Sequence, residues 1–527
     1  MFSRAPEPVR RIIAERSHGL PLYLDLSVMR YLELRRGRRQ PQVTDFDHDF
    51  PALIARTLSD LTAEERHVLR SVSLLNAFSV PLATQVAGMD HDAPALRLTE
   101  RPFIRESPSG VWPFHVHDLI RAAIRNADDG SDDRWSEQDW QRAAQRAFRA
   151  LESQWRQDQR HDRAILVGCL QQGLLLARDF RLDLDWLADA AFQYVGDSIC
   201  EPLALPATGD TSSGSLQTAA DALVETLSAI ARRQHEHREH TASRLSAVLA
   251  SELLPDDLVE LATYYLAKAQ RDLGLTDDSC RGMQRVASAD GRLASAARRG
   301  LAHLSRLSGD FPTVVEAAGR LGWEGRHHRV LGDVWWVQGD MERAEAAYLA
   351  ARSEAEEHGV VGETAMVQAH LAFAVSFADP LRADDELDLA DRLLSRLSLR
   401  SSEMTARIAA LVRDAGFAAD VPDRAAVLLA EIGVSGISYA AAKLQLALCF
   451  HHAVLDAQDN LAIAITRLRE LTQGGDYVYY VEIAHFMTGL PLPEHTARAR
   501  WIDGERQTRE RWRYLVATRR NHLGTAR

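Results

Sequence analysis

The strings that come nearest to chemistry in this chain are rich in histidine. His235, His237 and His240 stand in RRQHEHREH, close to the HExxH pattern in which two histidines one turn apart hold zinc and the glutamate serves as general base. Position 239 is Glu, so the motif fails, and the run reads as a solvated polar helix face. His327–His328 and His451–His452 are adjacent pairs, and neighbours on a helix point about 100° apart. Neither pair is expected to chelate, and no metal is predicted. Phosphate chemistry would need GxxxxGK[ST]. The nearest string, Gly209-Asp210-Thr211-Ser212-Ser213-Gly214, lacks the lysine that reaches the β- and γ-phosphates. There is no GxSxG, and the carboxylate neighbours Asp384–Asp385 and Glu356–Glu357 read as solvent faces of charged helices. No catalytic residue and no cofactor follow from these patterns.

The elements that carry these residues are helical. With 527 residues and 46% hydrophobic composition, the chain has material for three or four domains at ~100–200 residues each. Its four cysteines stand far apart with no CxxC, which fits a reducing, cytoplasmic compartment. The start, MFSRAPEPVRR, lacks the apolar core of a signal peptide, and no apolar run is long enough to span a bilayer. A net charge of −12 argues against general nucleic-acid binding. Of 62 basic residues only Lys268 and Lys443 are lysine; arginine on every face reads as the codon bias of a high-GC genome, not as a functional signal.

Two stretches lose apolar periodicity and read as linkers, Asp128–Asp133 and Pro202–Ser215. From about Leu216 onward, Ala/Leu/Arg-rich runs alternate with short breaks, the grammar of stacked helical hairpins. The sharpest unit, LGDVWWVQGDMERAEAAYLAA from Leu331, resembles the tetratricopeptide consensus at Leu331, Gly332, Trp335, Gly339, Ala344, Tyr348 and Ala351. Small Gly332 and Ala344 let two helices approach, Trp335 and Tyr348 fill the space between them, and Gly339 supplies a left-handed turn. Weaker copies carry Gly274 and Gly309, and another from Leu444 has the same texture without a glycine. In arrays of this family the first helix of each pair lines a concave face. The resemblance therefore implies that Arg326, Arg329, Asp333 and Trp336 point into a groove that binds a protein or peptide, with Trp335 facing inward to the pair. Self-association is a further use of such a surface.

The first quarter carries a second pattern. Ile12–Leu24, IIAERSHGLPLYL, is followed by Thr62-x-x-Glu65, a capping box opening a helix with Val68, Leu69, Val72 and Leu75 on one side. Pro81–Ala87 and Pro94–Glu100 supply two more helices, and PFIRESPSGVWPFHV alternates about a Ser-Gly turn as a two-stranded wing. Val116-His117-Asp118 follows directly. The order resembles the glycine-x-proline segment, winged helix and methionine-histidine-aspartate motif of the STAND signalling ATPases, of which NB-ARC proteins are one branch. That resemblance implies that Pro21 packs near an adenine and that His117, with Asp118, senses the nucleotide phosphates, as a vestige or toward a core supplied in trans. The missing Walker motif means that it covers only the trailing part of an ATPase module.

The expected architecture is mainly α: a helical remnant over 1–42, a winged helix over 43–127, a helical connector with linkers over 128–215, and a tetratricopeptide-like solenoid over 216–527. The C-terminal stretch, with Trp501, Trp512, Tyr514 and Leu515 among arginines, is expected to form a capping helix with Trp512 and Leu515 packed inward. The function expected is a non-enzymatic interaction scaffold or regulatory module of a STAND-type system. A DNA-binding regulator is the alternative, and eight arginines against eight carboxylates between Pro51 and Ala127 give its winged helix no positive face. The third reading is a fragment of a longer STAND ATPase.

Overall fold

The computed structural model describes residues 5–19, 21–36, 38–48, 61–101, 103–107, 110–117, 120–121, 124, 134–158, 162–196, 203, 216–493, 496 and 498–526. The linker at 128–133, the Gly209–Gly214 string and Asp118 lie outside them, as does all but Leu203 of the 202–215 linker. The fold is mainly α, in two compact units, Met1–Ala190 and Ala191–Arg527.

In the first unit, α1 (Glu7–Ser17) and α2 (Pro21–Arg36) bury Val9, Ile13, Tyr31 and Leu34 around Phe46. Next come α3 (Ala63–Val72), α4 (Val80–Ala87) and α5 (Ala93–Thr99). The capping box closes as written: the Glu65 amide donates to Thr62 Oγ1 (3.1 Å) and the Thr62 amide to Glu65 Oε2 (2.9 Å). Strands β1 (Ile104–Glu106) and β2 (Phe114–Val116) then pair antiparallel, with Ile104 opposite Val116. Two longer helices, α6 (Glu137–Gln157) and α7 (Arg163–Phe180), follow.

The second unit is a run of antiparallel helix pairs. These are α8 (Ala219–Arg232) with α9 (Arg238–Ala250), α10 (Asp256–Asp272) with α11 (Thr276–Ser288), α12 (Ala294–Leu307) with α13 (Phe311–Ala318), and α14 (His327–Val337) with α15 (Met341–Glu357). Then come α16 (Val361–Ala378) with α17 (Pro380–Leu394), α18 (Arg400–Arg413) with α19 (Val421–Ser435), and α20 (Ser438–Leu455) with α21 (Gln458–Leu471). α22 (Val478–Thr488) and the long α23 (Glu505–Ala526) complete it.

The turns follow from residue type. Gly274, Gly309 and Gly339 take φ of +81°, +81° and +71° after α10, α12 and α14; a side chain there would crowd the backbone. The unit that lacks a glycine uses Asp456 at φ +57°, a residue that tolerates this region better than most. Gly332 is required by packing: a Cβ there would meet the Tyr348 ring at 2.5 Å.

The repeats wind tightly enough that late pairs touch early ones. The Tyr477 amide donates to Leu307 O (2.9 Å), the Arg500 amide to Gly309 O (2.9 Å), and Ser438 Oγ to Asp272 O (2.7 Å). The first helices thus curl around an inner space instead of lining an open groove.

α23 buries Trp512 and Leu515, yet it does not sit at the end of the stack. It runs across the C-terminal ends of four first helices. Trp512 Nε1 donates to Val337 O on α14 (3.0 Å), Arg519 to Phe377 O on α16 (3.5 Å) and to Val412 O and Arg413 O on α18 (3.0 and 2.9 Å), and Arg520 Nε to Ala453 O on α20 (3.1 Å). The last turn of a helix leaves carbonyls without partners and carries partial negative charge, so a row of cationic donors is what such a seam needs. No helix among the described residues is long and apolar enough to cross a membrane.

Candidate functional site

The first helices place polar side chains toward the inner space at helical spacing. α10 contributes Tyr264, Lys268 and Arg271; α12 contributes Arg299, His303 and Arg306. Arg326 precedes α14, which adds Arg329 and Asp333, and α16 adds Glu363 and His370. Intervals of three, four and seven residues keep each set on one face. With Lys443 from α20 and Tyr480 from α22 they line a cavity of about 420 Å³. Its wall holds nine lysines and arginines against three carboxylates, Glu324, Asp333 and Glu363.

Some of this charge is already used. Arg329 grips Glu363 at 2.6 and 3.3 Å. Burial alone would raise the Glu363 carboxyl, yet Arg329, Arg299 and Arg326 hold it below its usual value. Arg233 and Arg271 reach the buried Asp272 at 2.8 and 2.7 Å, where Arg238 joins them at 3.1 Å. Asp333 accepts from Tyr348 Oη (2.8 Å) and from His370 Nδ1 (2.9 Å). Burial pushes the His370 imidazolium down, and Asp333 opposes that shift.

The rest of the charge feels Glu363 and Asp333 only at longer range. Among the described residues, no carboxylate lies within ion-pair distance of Lys268, Arg299, Arg306 or Lys443. Burial, aided by Arg233, Arg271 and Arg299 and opposed by Tyr264, holds the Lys268 ammonium at about 7. The same surroundings act on Tyr264, where burial is outweighed by Lys268, Arg299 and Arg271 and the phenol falls below its usual value. Burial, with Arg306 adding to it and Asp333 opposing, brings Lys443 to about 8. Arg306 Nη2 donates to His303 Nδ1 (3.1 Å), which assigns the ring proton to Nε2, and that Nε2 is buried without a partner. Such a wall lowers its energy by receiving negative charge and hydrogen-bond acceptors.

Arg326, Arg329 and Asp333 line this cavity. Trp336 does not line it. It is 1% exposed, with Phe373 and Tyr480 rings at 5.1 and 5.9 Å and Lys443 over its face at 5.7 Å. Trp335, expected inside the pair, is half-buried beneath the Arg343 guanidinium at 4.8 Å. The expected exposures are reversed because later helices fill the inner side of α14, while the flank of Trp335 stays at the surface.

Pro21 opens α2 and is exposed. His117 directly follows β2, with its amide donating to Phe103 O (3.0 Å). His237 is more than a solvated face, since its Nδ1 accepts the Glu239 amide and caps α9. The adjacent pair His327–His328, expected to diverge, brings its ring centroids within 3.8 Å of each other, both near Glu354. His327 is the first residue of α14, after Arg326 at φ +55°, so no preceding helical turn directs its side chain.

Sequence reasoning missed the cavity, although two signals were present. One is the repetition of a titratable stripe at three- and four-residue spacing on successive first helices. The other is lysine itself: in a chain that otherwise uses arginine, both lysines face the same 420 Å³.

No family model matches the chain, and no curated protein matches it. Among solved structures, it aligns with a STAND protein with a tetratricopeptide repeat sensor from Pyrococcus horikoshii, at 12% identity and a TM-score of 0.49 over 99% of this chain and 74% of the other.

Proposed function

We propose that the chain is a non-catalytic regulatory module whose helical repeats recognise a small polyanionic ligand in their inner cavity. The observation that carries this reading is the set of Lys268, Arg299, Arg306 and Lys443, which face one cavity with no carboxylate within ion-pair distance among the described residues. A volume of about 420 Å³ suits a small molecule better than a folded partner. The glycine-x-proline and His117 segments suggest descent from a STAND switch, with Pro21, His117 and Asp118 as vestiges of nucleotide sensing. In this reading the repeats are the sensor and the first unit transmits the signal.

The two lysines give the reading a pH signature. Both ammonium groups are protonated below about 7 and 8 and neutral above. Anion affinity should therefore fall as pH rises, and bound anion should pull both values upward. Calorimetric titration with inorganic pyrophosphate is expected to give one site per chain. Corrected for the protons that pyrophosphate itself loses over the range, its affinity should drop at least about tenfold between about pH 6 and about pH 9, one tenfold step being ~1.4 kcal/mol. A neutral disaccharide should give no heat. Equal affinity across that range, or tighter binding of the disaccharide, would overturn the reading.

A further inference from the structure

We propose that His327, His328 and Glu354 form a zinc site that ties the first turn of α14 to the last turn of α15. The three residues offer two imidazole nitrogens and a carboxylate, and the three ligand atoms lie within 4.8 Å of one another. His327 Nδ1 stands 3.9 Å from Glu354 Oε2, and His328 Nε2 stands 3.8 Å from Glu354 Oε1.

These distances exclude direct hydrogen bonds, which end near 3.2 Å for nitrogen and oxygen. The two nitrogens approach different carboxylate oxygens and the set of ligand atoms spans up to 4.8 Å, against about 3.3 Å around a tetrahedral Zn2+ with bonds of ~2.0–2.1 Å, so small side-chain rotations would close the site. Three strong ligand groups thus converge without satisfying one another. A second observation points the same way: His327 Nδ1 is buried and has no hydrogen-bond partner. An orphaned imidazole nitrogen facing a carboxylate is costly unless a proton or a cation lies between them.

Two imidazoles and one carboxylate favour Zn2+ over Ca2+ or Mg2+, which take oxygen donors. The three side chains are each partly exposed, which leaves room for a water as fourth ligand. His235, His237 and His240 are the competing histidine cluster in the sequence, and His237 is engaged in capping α9.

The position matters because Arg326 and Arg329, on either side of the histidines, line the cavity. A metal at this corner would fix the start of α14 and with it that part of the wall. The inference does not depend on the anion reading, since it rests on different side chains.

The test is titration of the full chain with Zn2+ alone, alongside His327→Asn, His328→Asn and Glu354→Gln. The parent is expected to bind one Zn2+, and each histidine variant to lose more than the ~10–100-fold that removing an outer-shell partner costs. Substituting Co2+ on the unaltered chain should give the intense visible absorption of a four-coordinate ion, a readout that does not depend on how the variants fold. Parent-like Zn2+ affinity in both histidine variants, or a six-coordinate Co2+ spectrum, would overturn the proposal.

Discussion

Asp272→Ala is expected to lower the stability of the helical-repeat unit by about 3–5 kcal/mol, the cost of removing one partner from a buried ionic network. Asp272 is 1% exposed and answers three guanidiniums, those of Arg233, Arg238 and Arg271. Arg238 shows how dependent they are: it is fully buried, and burial pulls its guanidinium down to about 10 even with Asp272 beside it. Without the carboxylate, three cations, one just past the end of α8 and one each from α9 and α10, would face one another in low dielectric. The backbone at this residue also accepts Ser438 Oγ from α20, so the site joins the early repeats to the late ones. Burial would raise the Asp272 carboxyl, but the three arginines hold it far below the carboxylate range. Its contribution is therefore complete above the unfolded value of about 4 and is lost as pH falls below it. Urea unfolding of parent and variant at neutral pH, followed by circular dichroism, measures the difference. A shift under about 1 kcal/mol would mean that the three arginines find solvent or other partners.

Trp336→Ala is expected to cost about 3–5 kcal/mol and the partly buried Trp335→Ala less, about 1–2 kcal/mol. Trp336 is enclosed by Phe373 and Tyr480, and its removal leaves a cavity between α14, α16 and α22. Trp335 is only partly buried, so its truncation removes the Arg343 contact and part of its packing against the core. Thermal melts of the two variants decide the matter. Were Trp335→Ala the more damaging, the packing of α14 described here would be wrong.

This pair also shows what was legible in the sequence. Residue type and local spacing gave the helix pairs, the left-handed glycines at 274, 309 and 339, and the close approach of Gly332 and Tyr348, because each of these is decided within about twenty residues. That Arg329 and Asp333 share a face of α14 was legible for the same reason. Which face of that helix would be solvent was not. That depends on Tyr480 and Lys443, more than a hundred residues further on, which close over Trp336 when the repeats wind past an open arc. The path of α23 across four helix ends escaped for the same cause: burial of Trp512 follows from its type, but the carbonyls met by Arg519 and Arg520 are set by the winding. The close approach of the His327 and His328 rings was not legible, because regular helix geometry does not govern the first residue after a left-handed Arg326.

The cavity was hidden by composition. Arginine is so frequent in this chain that no single arginine is informative, and the signal lies in the two exceptions. Arginine would deliver charge and more hydrogen bonds at either position. A compact ammonium that titrates near neutrality does something a guanidinium cannot, and both examples stand in the same wall.

The central claim, that this wall binds a small polyanion, is tested most directly by titrating inorganic pyrophosphate into the parent chain and into Lys268→Gln and the double variant Lys268→Gln/Arg299→Gln, at one pH near neutrality and one salt concentration. The account predicts a single site in the parent, about tenfold weaker binding in the single variant and a further loss of similar size in the double variant, with thermal melts showing all three folded. Equal affinity in the parent and the folded double variant would contradict it.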